Sequence, residues 1–280
     1  MFTALDHLIV AVEDLDKAEK NYSKIFGLSP VWKGEHKEFG TSNCLFNFQN
    51  TYFELLSVTG NGPGAALVID HLANKGEGLI GTVFGTDNID SVTARFREEG
   101  FAVADPSNGE GTNCQDQHVR KWKNLFLPSE LTRGLLSFVI QHTEGELSSP
   151  KAYKPSSVRK LDHLVIKTND ADGFIDIYRD SFNIRLALDK VVERWKSRML
   201  FFRFNKTTIE VVEKKDDQAP KDELWGLTWD VENIEQAHKR LLSEGVDVTP
   251  IKKGIKENTL VATIKSHTHN VPTLLIEHLE

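Results

Sequence analysis

Apolar residues change period several times along this 280-residue chain. Residues 4–12 form a dense apolar, β-rich run, which predicts a strand. Beyond Asp14, an N-cap residue by type, Leu15, Ala18, Tyr22, Ile25 and Phe26 recur at helical spacing until Gly27 stops the helix. Segments near 29–38, 42–49 and 51–58 return to strand character, with Gln49-Asn50 as a tight turn. The next stretch repeats the scheme. A strand covers 79–86, a helix runs from an Asn88 cap to Gly100, and strands follow near 101–104, 118–127 and 135–142. Asp105 to Gln117 is rich in Gly, Asn and Asp and reads as irregular, either a mobile surface loop or a lid.

The pattern then recurs with side-chain identity. LDHLIVAVEDLD from Leu5 meets LDHLVIKTNDAD from Leu161, an offset of 156 residues. Without a gap, Tyr22 meets Tyr178, Phe26 meets Phe182, Phe46 meets Phe202, Phe48 meets Phe204 and Glu54 meets Glu210. A second kinship runs at an offset of 145, where Gly81, Asn88, Ile89 and Gly100 meet Gly226, Asn233, Ile234 and Gly245. Asn233 with Gln236 resembles a capping box. The order is unit A, unit B, unit A′, unit B′, each a strand, a helix and three strands. This predicts an α+β fold of four βαβββ modules in two tandem domains, 1–145 and 156–280. The polar Pro/Ser stretch Glu144–Ser157 supplies a linker at 146–155.

Composition narrows the class. The length suits two cores of ordinary size. Hydrophobic content of 39% against 27% charged residues excludes a disordered chain. A net charge of −7 with no long basic stripe argues against nucleic acid as a partner. The basic stretch Lys252 to Lys265 reads as a solvated hairpin. Cys44 and Cys114 form no Cys-x-x-Cys pair, so a disulfide scaffold and a zinc ribbon are excluded. No apolar run is long enough to span a membrane, and the start lacks the features of a signal peptide. A cytoplasmic protein is therefore expected. No Gly-rich phosphate loop follows a strand, so no nucleotide cofactor is expected.

Two residue pairs resist explanation as plain core: His7 with Glu54, and His163 with Glu210, each 47 residues apart. Each residue falls in the middle of an apolar strand. An ionised Glu inside a sheet is costly unless it is paired or binds a metal. His and Glu are suitable ligands for a divalent cation. A buried His–Glu hydrogen bond explains the same pattern, and duplication copies structural residues as faithfully as functional ones.

The four-module order, with His in each first strand and Glu in each fourth, resembles the vicinal-oxygen-chelate superfamily. HLIVAVEDLDKAEKNYSKIFGL…FGTSNCLFNF…TYFELLSV is similar to its glyoxalase-like branch. The resemblance covers nearly the whole chain. It implies glyoxalase-like domains with cupped mixed sheets, each built from two modules around a divalent metal such as Zn, Mn, Ni or Fe. His7, Glu54, His163 and Glu210 match its metal positions. Gly81 and Gly226, with Phe138 and Leu274, stand where the remaining ligands would be, so each site retains two. A register shift bringing in His142 would supply a second His in the first domain.

The implied activity is that of a lyase, isomerase or dioxygenase acting on an oxygen-bearing metabolite, with the first domain's cleft preferred. Glu54 and Glu210 are the candidate catalytic residues, acting as bases with pKa values raised by an apolar cup. Thr41 and Asn43, in a recurrent Gly-Thr-Ser-Asn motif, are candidate substrate contacts. The rival reading is a metal-free protein that sequesters a small molecule. A homodimer is left open. His267 and His269 read as an exposed hairpin pair, and Trp32, Trp122, Trp195, Trp225 and Trp229 as core or cleft wall.

Overall fold

The computed structural model describes residues 1–150, 153–216 and 218–279; Lys151 and Ala152 of the expected linker lie outside them. The first unit contains β1 (Phe2–Ala11), α1 (Leu15–Phe26), β2 (Trp32–His36), β3 (Thr41–Asn47) and β4 (Tyr52–Val58). A helix α2 (Pro63–Lys75) follows it. The second contains β5 (Gly78–Thr86), α3 (Ile89–Glu98), β6 (Ser107–Asn113), β7 (Val119–Phe126), the single-turn α4 (Ser129–Thr132) and β8 (Leu136–Glu144). The third contains β9 (Val158–Thr168), α5 (Ala171–Ile175, continued as a π-helix over Asp176–Ser181), β10 (Arg185–Val192), β11 (Ser197–Phe204) and β12 (Thr207–Glu213). The fourth contains β13 (Asp222–Val231), α6 (Ile234–Ser243), β14 (Lys252–Lys253), β15 (Thr259–Ile264) and β16 (Thr273–His278).

Local chemistry sets the helix ends. Asp14 accepts from the Lys17 amide, Asn88 from Ser91 and Asn233 from Gln236, while Gly27 closes α1 at φ 65°. No helix was predicted at α2, although Pro63 in its first turn and Gly76 at its end are ordinary start and stop signals.

β1 runs parallel to β4 and antiparallel to β5; β9 runs parallel to β12 and antiparallel to β13. The modules therefore pair within each half, A with B and A′ with B′. Among the described residues the first half closes into a barrel, β1-β4-β3-β2-β6-β7-β8-β5. The second half stays an open cup, β10-β11-β12-β9-β13-β16-β15-β14.

The closure rests on β6, in a segment whose composition reads as irregular. No strand forms at 101–104. β6 instead pairs along β7 and reaches β2 through Gly34–Asn113 and Glu35–Thr112. Its glycines answer a steric demand. A Cβ on Gly109 would stand 2.3 Å from Nε1 of Trp122, and one on Gly111 3.1 Å from the same ring. A strand without side chains at these points can cross the indole. In the second half the counterpart, β14, is two exposed lysines paired to β15, so β10 and β14 remain edges. Charged residues on those edges discourage pairing with other chains.

The outer faces of the two sheets and their helices share one core. Trp229, fully buried, is ringed by Phe26, Phe48 and Phe53 of the first half. Phe182 of the second half packs on Phe2 and Phe84 of the first. Each such ring stabilises by about 1.5–3 kcal/mol relative to exposure. His269, read above as exposed, is buried at this junction, with Nδ1 2.8 Å from Glu77 and Nε2 3.0 Å from Asn21. The turn carrying it has positive φ at His267, His269 and Asn270, so the two histidines share no strand face. Trp195 and Trp225 are both exposed, but Trp225 lines a surface cleft with Leu224 and Pro272, whereas Trp195 belongs to neither the core nor that cleft.

Candidate active site

Parity along β1 shows how the site forms. Leu8, Val10 and Val12 join the outer core, so His7, Ile9 and Ala11 turn inward. Leu5 also joins the outer core, which regular alternation forbids. The register against β5 explains it. Leu5 pairs with Phe84 and His7 with Val83, leaving Asp6 as an extra residue in a bulge. His7 is thereby brought to the inner wall, with Asp6 behind it between the His7 and His142 rings. The same bulge occurs at Asp162 in β9, where Leu161 pairs with Trp229 and His163 with Thr228.

In the barrel, His7 Nε2 lies 3.4 Å from Oε2 of Glu54, and His7 Nδ1 lies 2.7 Å from Oδ1 of Asp6. Asn43 donates from Nδ2 to Oε1 of Glu54 at 2.8 Å, and the Trp32 indole donates to Oδ1 of Asn43 at 3.2 Å. Tyr52 stacks on the His7 ring at 4.3 Å. On the other side of Asp6, Nε2 of His142 sits 3.1 Å from Oδ2, and Nδ1 of His142 lies 3.4 Å from Nη2 of Arg120. The result is a polar chain from Asn43 through Glu54, His7, Asp6 and His142 to Arg120. All of these but Asp6, which sits behind them, line a cavity of about 150 Å³ whose remaining wall includes Trp122, Phe126, Leu136, Phe138 and Ile140.

The electrostatics follow from this chain. Burial pushes the Asp6 carboxyl up, but hydrogen bonds from His142 and His7 prevail and hold it well below the usual carboxylate range. Burial opposes the charged form of His7, but Asp6 and Glu54 outweigh it and raise the imidazole pKa. Burial likewise pushes Glu54 up, yet His7, His36 and the Asn43 amide bring its pKa below the ordinary value. The expected raised Glu54 is thus corrected: the cup is apolar on one side only. His36, whose Nδ1 is 3.2 Å from Thr41 Oγ1, is kept neutral chiefly by burial.

The sequence places Glu54, His7, Asn43 and Thr41 in one cavity, and all four line it. Asp6, Arg120, Tyr52 and Asn124 were missed. Asp6 had a signal, the three-residue spacing of Leu5 and Leu8, which only a bulge can turn to one face. Arg120 had none, because its β7 neighbours reveal no periodicity.

The second cup is a thinner version. His163 Nε2 is 3.7 Å from Glu210, with Asp162 on Nδ1 at 2.8 Å, and both members of the pair are half-buried. At the shared offset Met199 replaces Asn43, Thr208 replaces Tyr52 and the exposed Leu188 replaces Trp32. Without the amide, burial leaves the Glu210 pKa raised, as expected of it.

Among the described residues, neither His…Glu pair is joined by a third protein donor to make up the customary three. In the barrel, Gly81 has no side chain and its Cβ position abuts Leu136, while Phe138 presents a ring edge to His7 at 5.9 Å. His142 faces Asp6 and Arg120 rather than Glu54. Among the described residues, three ligand atoms within 4.8 Å occur at Asp162, Asp230 and His278. There the guanidinium of Arg159 already binds Asp230 at 2.8 Å, and His278 binds Asp162 at 2.6 Å.

Solved structures share the fold of this chain. The chain is similar in fold to a triple mutant of 4-hydroxymandelate synthase from Streptomyces coelicolor, at 13% identity and TM-score 0.70, covering 99% of this chain and 93% of that one. A hypothetical protein from Staphylococcus aureus matches at 14% identity and TM-score 0.66, covering 98% of both chains. The Mn(II)-bound glyoxalase from Novosphingobium aromaticivorans matches at 16% identity and TM-score 0.64, covering 100% of this chain and 83% of that one. No curated protein matches. A model described as Glyoxalase/Bleomycin resistance protein/Dioxygenase superfamily matches residues 162–263. A model described as Glyoxalase-like domain matches residues 5–182, well over half of the sequence. With the paired βαβββ modules, that match establishes that the chain belongs to the glyoxalase-like family of the vicinal-oxygen-chelate superfamily.

Proposed function

We propose that the barrel of the first domain is the active site of a proton-transfer enzyme, of isomerase or lyase type, acting on a small oxygen-bearing metabolite. The observation that carries this reading is the buried pair itself, His7 and Glu54 at 3.4 Å on a cavity wall, with Asp6 behind the imidazole. The opposite pKa displacements leave Glu54 as a carboxylate and favour the imidazolium form of His7. A base and an acid are thus ready side by side. Glu54 takes the proton from a carbon next to a carbonyl. The His7 N–H meets the oxygen on which charge develops, and Asp6 holds the ring in place. The proton then returns from Glu54 to carbon, or the adjacent bond breaks and a leaving group departs. No step requires a resident metal. The second domain, with its thinner site, supports the first through the shared core.

Incubation in D₂O with a panel of small carbonyl compounds tests the proposal. The purified protein is expected to catalyse deuterium incorporation next to a carbonyl, read by NMR, and to keep doing so after chelation. Glu54→Gln is expected to slow it roughly 10²- to 10⁴-fold. Binding without any exchange by the wild type would overturn the enzymatic reading in favour of sequestration. Exchange that depends on Mn²⁺, Ni²⁺, Zn²⁺ or Fe²⁺ would overturn the metal-free one.

A further inference from the structure

Arg120 is 5% exposed, yet among the described residues no carboxylate lies within ion-pair distance of it. Among the described residues its hydrogen-bond partners are the His142 ring, met by Nη2, and the Tyr52 side chain, while its Nε has none. A guanidinium carries five N–H donors and cannot shed its charge. Burying it with so few partners is expensive unless an anion completes the site. The group is also held firmly in place. Its central carbon lies 5.5 Å from the ring centres of both Trp32 and Tyr52.

Those same rings tie Arg120 to the proposed chemistry. Tyr52 stacks on His7, and Trp32 bonds Asn43, which bonds Glu54. A ligand anchored on Arg120 would have its body against the acid–base pair. A second buried atom without a partner marks the other end of the same strand. Oδ1 of Asn124, also on the cavity wall, accepts no hydrogen bond. Residues 120, 122 and 124 alternate onto one face of β7, so Trp122 lies between the anion anchor and the free acceptor.

Resting on the reading of this barrel as a small-molecule site, we infer that its substrate is a small carboxylate with a flat apolar body and a distal hydrogen-bond donor. Arg120 takes the carboxylate, Trp122 faces the body, and Asn124 accepts from the far hydroxyl or amine. Two parallel N–H···O bonds suit a guanidinium and a carboxylate. The cavity of about 150 Å³ limits the body to the scale of a single ring.

Matched probes test this on the intact protein without any turnover. Benzoate and 4-hydroxybenzoate are compared with benzamide and 4-hydroxybenzamide by thermal shift and calorimetry. The wild type is expected to bind each acid on the order of 10- to 100-fold more tightly than its amide, as a charge-assisted hydrogen bond provides. Arg120→Met is expected to remove that preference, and Arg120→Lys to restore part of it. The 4-hydroxyl is expected to strengthen binding in the wild type but not in Asn124→Leu. Equal binding of acids and amides by the wild type, or binding of neither, overturns the assignment whether or not the variants fold. Acid-selective binding that persists in Arg120→Met also overturns it. Acid binding with no deuterium exchange leaves the anchor standing and removes only the enzymatic reading.

Discussion

Replacing Glu54 by Gln isolates the central pair with almost no change of shape. The wild-type carboxylate faces His7 at 3.4 Å, and both side chains are almost fully buried. At an effective dielectric near 20 their attraction is about 5 kcal/mol. Desolvation offsets most of it, leaving about 1–3 kcal/mol as the net loss. In the variant the amide keeps the Asn43 bond through its oxygen and turns NH₂ toward His7. That nitrogen donates, so the imidazole must accept, and His7 is pushed toward its neutral form.

The pH dependence follows with a defined sign. Glu54 has a lowered native pKa, so its contribution is present above its unfolded value, about 4.5, and fades as pH falls through the native one. His7 has a raised native pKa, so its contribution is full below about 6.5 and fades as pH rises through the native one. The loss of stability in Glu54→Gln should therefore be largest between about pH 4.5 and 6.5 and shrink on either side. Urea unfolding at a series of pH values measures it, and the His7 ring resonances in NMR should titrate lower in the variant. A loss that is flat from pH 3 to 9, or an unmoved His7 titration, would refute the reasoning that the two side chains form an ion pair.

Two other perturbations probe the frame of the site. Gly109→Val drives a side chain into Trp122, whose Nε1 lies 2.3 Å from the Cβ position. It should destabilise by about 1–3 kcal/mol and alter near-ultraviolet circular dichroism as β6 leaves the barrel; an unchanged spectrum and midpoint contradict the closure. Of the two thiols, Cys114 is exposed and Cys44 buried, with burial pushing the Cys44 thiol up to about 12. A thiol reagent at pH 8 should label Cys114 in the native protein and Cys44 only on unfolding, so early modification of Cys44 would show that β3 opens.

Much of this protein is readable from the chain alone. The duplicated apolar pattern and the His…Glu spacing fix the module order, the caps and the pair, because period and cap chemistry act over a few residues. Asn43 and Thr41 are singled out by the Gly-Thr-Ser-Asn resemblance, and the alternation of β3 beside β4 turns both inward. What the linear pattern hides depends on neighbours distant in sequence. The bulge at Asp6 is set by register against β5, and it turns a simple pair into Asp6–His7–Glu54. The lowered Glu54 pKa depends on three partners from β1, β2 and β3, where burial alone predicts the opposite sign. Closure of one sheet and not the other depends on glycines under Trp122, which from composition resemble a loop. Arg120 owes its meaning to having, among the described residues, no carboxylate within ion-pair distance. Periodicity records which face a residue takes, but the partners it meets across that face are decided when the strands assemble.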